Sequence, residues 1–162
     1  MTKPILLVED SEADAETFQL TLKQALVGNP VFVVGSGDEA IAFLQGEGTY
    51  SNRELFPAPG IMFLDLNLPG TDGFDVLEWA RGNAALDHIL VVILSGYHGA
   101  REVNHAYALG ADSFLIKPCH PEDIRNLAKN FPDHWTLLPQ PLPTQVVSSS
   151  ITDTGSNSRI SR

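Results

Sequence analysis

Acidic, hydroxyl and basic side chains follow four of the short apolar runs in this sequence. Glu9 and Asp10 follow the first run, Asp65 the third, Ser95 the fourth and Lys117 the fifth. Carboxylates that converge on one place repel one another unless a cation or a lysine offsets their charge. Mg²⁺ is suited to this, since it prefers a few carboxylates together with waters and phosphate oxygens. The pattern therefore predicts a Mg²⁺ site, provided that the fold brings these residues together.

A metal held by carboxylates, with a lysine opposite it, is suited to phosphoryl transfer. That reaction depends mainly on positioning and on compensating the negative charge of the moving group. The nucleophile is then expected to be one of the carboxylates, because an aspartate can form an acyl phosphate.

The apolar runs have the length and composition of buried strands and alternate with amphipathic stretches typical of helices. Runs that are apolar throughout indicate strands covered on both faces, as in a parallel sheet wrapped by helices. In such a sheet the functional crevice forms at the carboxyl ends of the strands, where the polar residues fall. The predicted strands are Ile5–Val8, Val31–Val34, Ile61–Leu64, Ile89–Leu94 and Ser113–Ile116.

Five helices are predicted between and after these strands. Ser11 is the expected N-cap of the first, with Asp14 at its third position. The stretch between Gly46 and Pro59 is longer than an ordinary connection and is interpreted as an exposed loop or a short extension of the second helix. The other helices are predicted at about Asp38–Leu44, Gly73–Trp79, Ala100–Leu109 and from Pro121 past Leu127.

Composition limits the possible partners and location. The 162 residues suit one domain, and their 43% apolar content is too high for a chain disordered throughout. A net charge of −10 disfavours binding to nucleic acid or to a membrane surface. Cys119 is the only cysteine, which excludes an intrachain disulfide, and no apolar run near the start suits export, so we expect a cytoplasmic protein.

Four motifs together resemble the receiver domain of two-component response regulators, from Met1 to about Asn130. They are the acidic pair after the first strand, the run Leu64–Gly73, the dipeptide Ser95-Gly96 and the run Gly110–Pro118. The resemblance implies a flavodoxin-like (βα)5 fold, with a five-stranded parallel sheet in the order 2-1-3-4-5. We expect the receiver domain to span 1–138, with an extended C-terminal end. The Pro- and Ser-rich residues 139–162 are expected to be a disordered tail.

The resemblance also implies a role for each site residue. Asp65 is expected to accept a phosphoryl group from a phosphohistidine on a sensor histidine kinase. Asp10, Asp65 and the backbone carbonyl of Asn67 are expected to hold Mg²⁺ or Mn²⁺. Glu9 stands where aspartate is more common and is expected to act through water, while Lys117 is expected to contact the phosphoryl oxygens.

A switch is implied as well. Ser95 is expected to move toward the phosphoryl group, and Phe114 to turn inward as the aromatic switch residue. Asn67 and Tyr97 are expected to flank the path by which water attacks the acyl phosphate. The Lys117–Pro118 peptide bond is expected to be cis.

Three other functions fit these residues less well. A flavin-binding protein would need a phosphate-cradling loop after the first strand, where the acidic run Glu9–Asp14 would repel the flavin phosphate. A phosphatase of the haloacid dehalogenase type normally has a second acid two positions after its aspartate, where this chain has Asn67. A binding module that is never phosphorylated would not need the complete set Asp10, Asp65, Ser95 and Lys117. We therefore expect a signalling receiver rather than an enzyme acting on free substrates.

The output is expected to be a protein contact. In the family, signals usually pass through the face made by helix four, strand five and helix five. We expect homodimerisation or partner binding on that face, where the residues concerned would be Val103, Tyr107, Phe114 and Leu127.

A narrower resemblance concerns the source of the phosphoryl group. Leu55–Pro57, Leu66–Pro69 and His134–Pro139 resemble segments of the small stand-alone regulators paired with bacterial and cyanobacterial phytochrome histidine kinases. The alternatives are a chemotaxis-type regulator or a phosphorelay shuttle.

Overall fold

Five parallel strands form one sheet in the order β2-β1-β3-β4-β5, which confirms the predicted fold class. The structure is a computed structural model and describes residues 2–96 and 99–140. Of the residues singled out above, Tyr97 and most of the predicted tail lie outside that part of the chain. Strand β3 runs one residue further than predicted, and β4 both starts and ends one residue later than predicted. The strands are β1 (Ile5–Val8), β2 (Val31–Val34), β3 (Ile61–Asp65), β4 (Leu90–Ser95) and β5 (Ser113–Ile116).

Each strand is followed by a helix. Ser11 caps the first, since its side chain accepts a hydrogen bond of 3.2 Å from the backbone N–H of Asp14, as predicted. No helix in the described ranges is long and apolar enough to cross a membrane. The helices are α1 (Glu12–Gln24), α2 (Gly37–Gln45), α3 (Gly73–Arg81), α4 (Ala100–Ala108) and α5 (Pro121–Asn130), with short 3₁₀ turns at Gly48–Tyr50, Ala84–Leu86 and Pro132–His134.

The three central strands are buried on both faces, which is why their sequences are apolar without alternation. The residues of β1, β3 and β4 are 0–4% exposed and divide between two hydrophobic clusters, one on each side of the sheet. Strand β2 lies at an edge and leaves Val33 42% exposed.

The long connection from α2 to β3 is anchored by side chains. Arg53 donates hydrogen bonds to the carbonyls of Leu44 (2.9 Å) and Phe56 (3.0 Å). Phe56 and Tyr50 contact each other with ring centroids 5.2 Å apart and extend the cluster around Phe43. The connection contains a separate 3₁₀ turn rather than an extension of α2.

The segment after α5 returns to the same domain. Trp135 packs edge-on against Phe63, with ring centroids 6.1 Å apart. Residues 136–138 form an antiparallel bridge with residues 26–28, with two backbone hydrogen bonds of 2.7 Å. At the amino edge of the sheet the hydroxyl groups of Thr2 and Thr136 lie 2.7 Å apart, so the two ends of the described domain meet there.

Candidate functional site

The strand register brings the predicted site residues to one edge of the sheet. Val8 lies opposite Leu64 on the neighbouring strand, so Glu9 and Asp65 follow at the same level. Asp65 lies opposite Leu94, and Ser95 opposite Ile116. All five side chains with predicted chemistry therefore emerge at the carboxyl ends of four neighbouring strands.

Three carboxylates meet at this edge. Glu9, Asp10 and Asp65 each offer an oxygen, and these oxygens lie within 4.8 Å of one another. Glu9 and Asp65 are only 5% and 4% exposed, whereas Asp10 is open to solvent. Oxygen donors at this spacing, with one side open for water, fit the preferences of a hard divalent cation. The three residues can therefore hold such an ion.

Lys117 supplies the positive charge that the sequence predicted. Its Nζ lies 2.6 Å from Glu9 Oε1 and 2.7 Å from Asp65 Oδ2. Burial alone would lower the pKa of Lys117, but the hydrogen bonds to Asp65 and Glu9 outweigh it and raise the pKa above its ordinary value. Lys117 is therefore a fixed ammonium group across the physiological range.

Glu9 is held at both of its oxygens. Oε1 accepts from Lys117, and Oε2 accepts a hydrogen bond of 3.1 Å from the backbone N–H of Ser11. Burial raises the pKa of Glu9 above its ordinary value, although both of these donors act in the opposite direction. The carboxylate is thus oriented by the protein itself.

Asp65 ends β3 and is followed by a tightly folded loop, residues 66–72. The backbone N–H of Asn67 donates a hydrogen bond of 2.9 Å to Asp65 Oδ1, which leaves Oδ2 facing Lys117. At Gly73 a Cβ would lie 2.7 Å from the Cα of Leu66 and overlap the carbonyl oxygen of Asp65. Only glycine allows α3 to start this close to the end of β3.

Ser95 and Phe114 lie on the β4 and β5 side of the site. Ser95 is 2% exposed at the end of β4. Phe114 lies opposite Ile93 and packs, partly buried, against the hydrophobic cluster on that side of the sheet. The Lys117–Pro118 bond is cis, as expected.

Sequence reasoning missed one contact of Lys117. Asp14, in the first turn of α1, brings its Oδ2 to 3.5 Å from Lys117 Nζ. The sequence pattern assigns Asp14 only a position next to the helix cap. Its position four residues after Asp10, on a helix that starts at this edge, was the available signal. Lys117 therefore faces three carboxylates: Glu9 directly after β1, Asp14 in α1 and Asp65 at the end of β3.

The family model for the response regulator receiver domain matches residues 5–129. Together with the strand order and the acidic edge, this match means that the chain belongs to the response regulator receiver family. Receiver domains bind divalent metal and interact with histidine kinases as signalling proteins.

Response regulators, two of them named as phytochrome response regulators, are among the similar proteins. The response regulator Rcp1 of Synechocystis sp. is 36% identical over 82% of this chain and 88% of its own. The phosphorylated cyanobacterial phytochrome response regulator RcpA is 33% identical, with a TM-score of 0.69 over 86% of this chain and all of that one. The bacteriophytochrome response regulator RtBRR is 31% identical, with a TM-score of 0.76 over 96% and 93% of the two chains. The chain is thus related to phytochrome response regulators.

A metal-bound relative bears on the acidic edge. The solved structure of Rcp1 in its Mn²⁺-bound form has a TM-score of 0.66 and covers 88% of this chain and 99% of that one. This relationship agrees with the donor set of Glu9, Asp10 and Asp65.

Proposed function

We propose that this chain accepts a phosphoryl group on Asp65 from a phosphohistidine of a histidine kinase, in a reaction that depends on Mg²⁺ or Mn²⁺. The observation that carries the proposal is the contact of a buried Asp65 carboxylate with the ammonium group of Lys117, 2.7 Å away, beside the acidic edge. A buried carboxylate with a fixed cation beside it can receive a phosphoryl group without accumulating unbalanced charge.

In the transfer step a bond forms between an Asp65 carboxylate oxygen and phosphorus. The bond from phosphorus to the histidine nitrogen breaks, and the nitrogen keeps the electron pair. The divalent ion, when bound, neutralises charge on the transferring group. Asp10, Asp65 and the Asn67 carbonyl are the proposed ligands, with Glu9 acting through water because its oxygens already accept from Lys117 and Ser11.

Lys117 is proposed to turn from the free carboxylate to an oxygen of the bound phosphoryl group. Its high pKa keeps it charged during this exchange. Ser95 is proposed to donate a hydrogen bond to the same group, and Phe114 to follow by turning inward. The position of Ser95 at the end of β4, next to the strand of Phe114, supports this coupling.

The donor is proposed to be a phytochrome-type histidine kinase in the cytoplasm. Support comes from RcpA and RtBRR, which are phytochrome response regulators by name.

The output is proposed to be a changed protein contact, with homodimerisation through the face of α4, β5 and α5. Tyr107 and Ile116, which are 46% and 45% exposed on these elements, provide apolar surface for it. The prediction that Leu127 belongs to this face is wrong, since Leu127 is 4% exposed and packs in a hydrophobic cluster of the core.

Intact-mass spectrometry after incubation with acetyl phosphate tests the acceptor. We expect a gain of about 80 Da with Mg²⁺, which corresponds to one phosphoryl group in place of a proton. The gain should vanish in Asp65→Asn and with EDTA, and persist in the surface control Asp133→Asn. An adduct of equal yield in Asp65→Asn would reject the assignment.

Phosphotransfer from purified kinases tests the donor. We expect faster transfer from a phosphorylated phytochrome-type kinase than from a chemotaxis kinase at equal concentration. Equal rates would reject the phytochrome pairing while leaving the acceptor chemistry intact. Transfer onward to a histidine phosphotransfer protein would favour the shuttle instead.

A further inference from the structure

The loop of residues 66–72 carries Asn67, whose carbonyl is a proposed metal ligand. The first half of the loop is fixed by burial, since Leu66 and Leu68 are 7% and 8% exposed. The second half turns at Gly70, which has φ of +72°, and is open to solvent there. Burial therefore does not fix the returning half.

Thr71 joins this returning half to the first turn of α2. Its Oγ1 donates a hydrogen bond of 2.7 Å to Asp38 Oδ1. The backbone of Thr71 also lies against Gly37, where a Cβ would overlap the Thr71 carbonyl oxygen. The loop is thus tied to a neighbouring helix by one side-chain hydrogen bond and one close backbone contact.

The helix that receives this bond is itself firmly placed. Ser36 caps α2 by accepting a hydrogen bond of 3.1 Å from the backbone N–H of Glu39. Ala40 and Phe43 of the same helix are 0% and 1% exposed in the core. Asp38 therefore offers an acceptor on a firmly placed helix, and a bond to it restrains the loop.

We propose that Thr71 is a positioning residue, whose hydrogen bond to Asp38 holds the loop so that Asn67 presents its carbonyl to the divalent ion. The proposal rests on the metal ligands assigned under the proposed function. Thr71 and the carbonyl of Asn67 belong to one turn, which is closed by a hydrogen bond of 3.2 Å from the Gly73 N–H to the Leu66 carbonyl. Loss of the Thr71 hydroxyl leaves the backbone contact at Gly37 in place, so the loop becomes looser without detaching.

Two substitutions at Thr71 distinguish the effect of its hydroxyl group from the effect of its side-chain shape. Thr71→Val keeps the shape and removes the donor, whereas Thr71→Ser keeps the donor. The dissociation constant for Mn²⁺ is measured on the full chain from the electron paramagnetic resonance signal of the free ion. We expect Thr71→Val to weaken Mn²⁺ binding about three- to tenfold, the effect of one exposed hydrogen bond to a charged group. Thr71→Ser should stay within about twofold of wild type.

Two further measurements test whether Asp38 is the partner of Thr71 and whether a looser loop causes the weaker binding. In a cycle with Asp38→Ala, the double variant should bind Mn²⁺ no more weakly than the weaker single variant. Amide hydrogen exchange in residues 66–72 should be faster in Thr71→Val than in Thr71→Ser. Unchanged Mn²⁺ affinity in Thr71→Val, an equal loss in Thr71→Ser, or full additivity with Asp38→Ala would each overturn the proposal.

The same series is independent of phosphoryl transfer. If wild type binds Mn²⁺ but takes no phosphoryl group on Asp65, the proposed function fails while the Mn²⁺ series still decides the role of Thr71. If wild type is phosphorylated and Thr71→Val binds Mn²⁺ as wild type does, only the positioning role fails.

Discussion

Replacing Lys117 by methionine is expected to destabilise the metal-free protein strongly. The change keeps the length of the side chain but removes the charge that lies 2.6 Å from Glu9 and 2.7 Å from Asp65. At these separations and an effective dielectric constant of about 20, each contact is worth about 6 kcal/mol before desolvation. Desolvation offsets much of this, and removing one partner of a buried pair costs about 3–5 kcal/mol. Since the side chain of Lys117 is 24% exposed, we expect a loss of about 3 kcal/mol.

The loss should depend on pH in a defined direction. Burial raises the pKa of Glu9 in the folded protein, so folding favours its protonated form. When an acid has a higher pKa in the folded protein than in the unfolded chain, the free energy of unfolding falls as pH rises from the lower pKa to the higher one. Without Lys117 this effect grows, because only the backbone N–H of Ser11 then favours the charged form of Glu9. The difference in unfolding free energy between wild type and Lys117→Met should therefore be smaller at pH 5 than at pH 8.

Urea unfolding followed by tryptophan fluorescence, with EDTA present at both pH values, measures the difference. Lys129→Met, an exposed change on α5, is the matched control and should leave stability within about 0.5 kcal/mol of wild type. A loss below about 1 kcal/mol at pH 8, or a loss no smaller at pH 5, would refute the electrostatic reasoning.

Three other predictions concern single positions. Burial and the nearby Asp123 carboxylate raise the pKa of Cys119 to about 11, so alkylation by iodoacetamide should be slow at pH 8 and rise about tenfold for each pH unit. Gly73→Ala should weaken Mn²⁺ binding and lower the free energy of unfolding in urea by about 1–3 kcal/mol, since its Cβ would meet backbone atoms. Gly82→Ala is the control, because a Cβ has room there, and it should change neither Mn²⁺ binding nor stability. Asp112→Ala should lower the free energy of unfolding by about 2 kcal/mol, because the carboxylate accepts hydrogen bonds of 2.8 Å from both Arg81 and the Val91 N–H; a change near zero would contradict this.

The sheet and most of the site could be predicted because both depend on local signals. Uniformly apolar runs identify strands that are buried on both faces, and parallel strands place their following residues at one edge. These two signals predict that Glu9, Asp10, Asp65 and Lys117 meet at one edge of the sheet. The strand order itself came from the resemblance, since the spacing of the runs does not decide which strands are neighbours.

Contacts between distant segments could not be predicted in the same way. The bond from Thr71 to Asp38 joins residues that are 33 positions apart, and it depends on how closely α2 approaches the loop at Gly37. The packing of Trp135 against Phe63 depends on the path of the chain after α5, and the hydrophobic periodicity of the sequence does not predict that path. The roles proposed for Ser95 and Phe114 remain predictions, because they concern a phosphorylated state.

The meeting of Thr2 and Thr136 has a practical consequence for engineering. The hydroxyl contact of 2.7 Å brings the two ends of the domain together at the amino edge, about 13 Å of β-strand away from the acidic edge. A short linker that joins the two ends of residues 2–138 could therefore close this part of the chain into a circular permutant. Its new termini would be opened in the connection near Leu55, which is 65% exposed. A fluorescent reporter fused at the amino edge would likewise leave the approach to Asp65 clear.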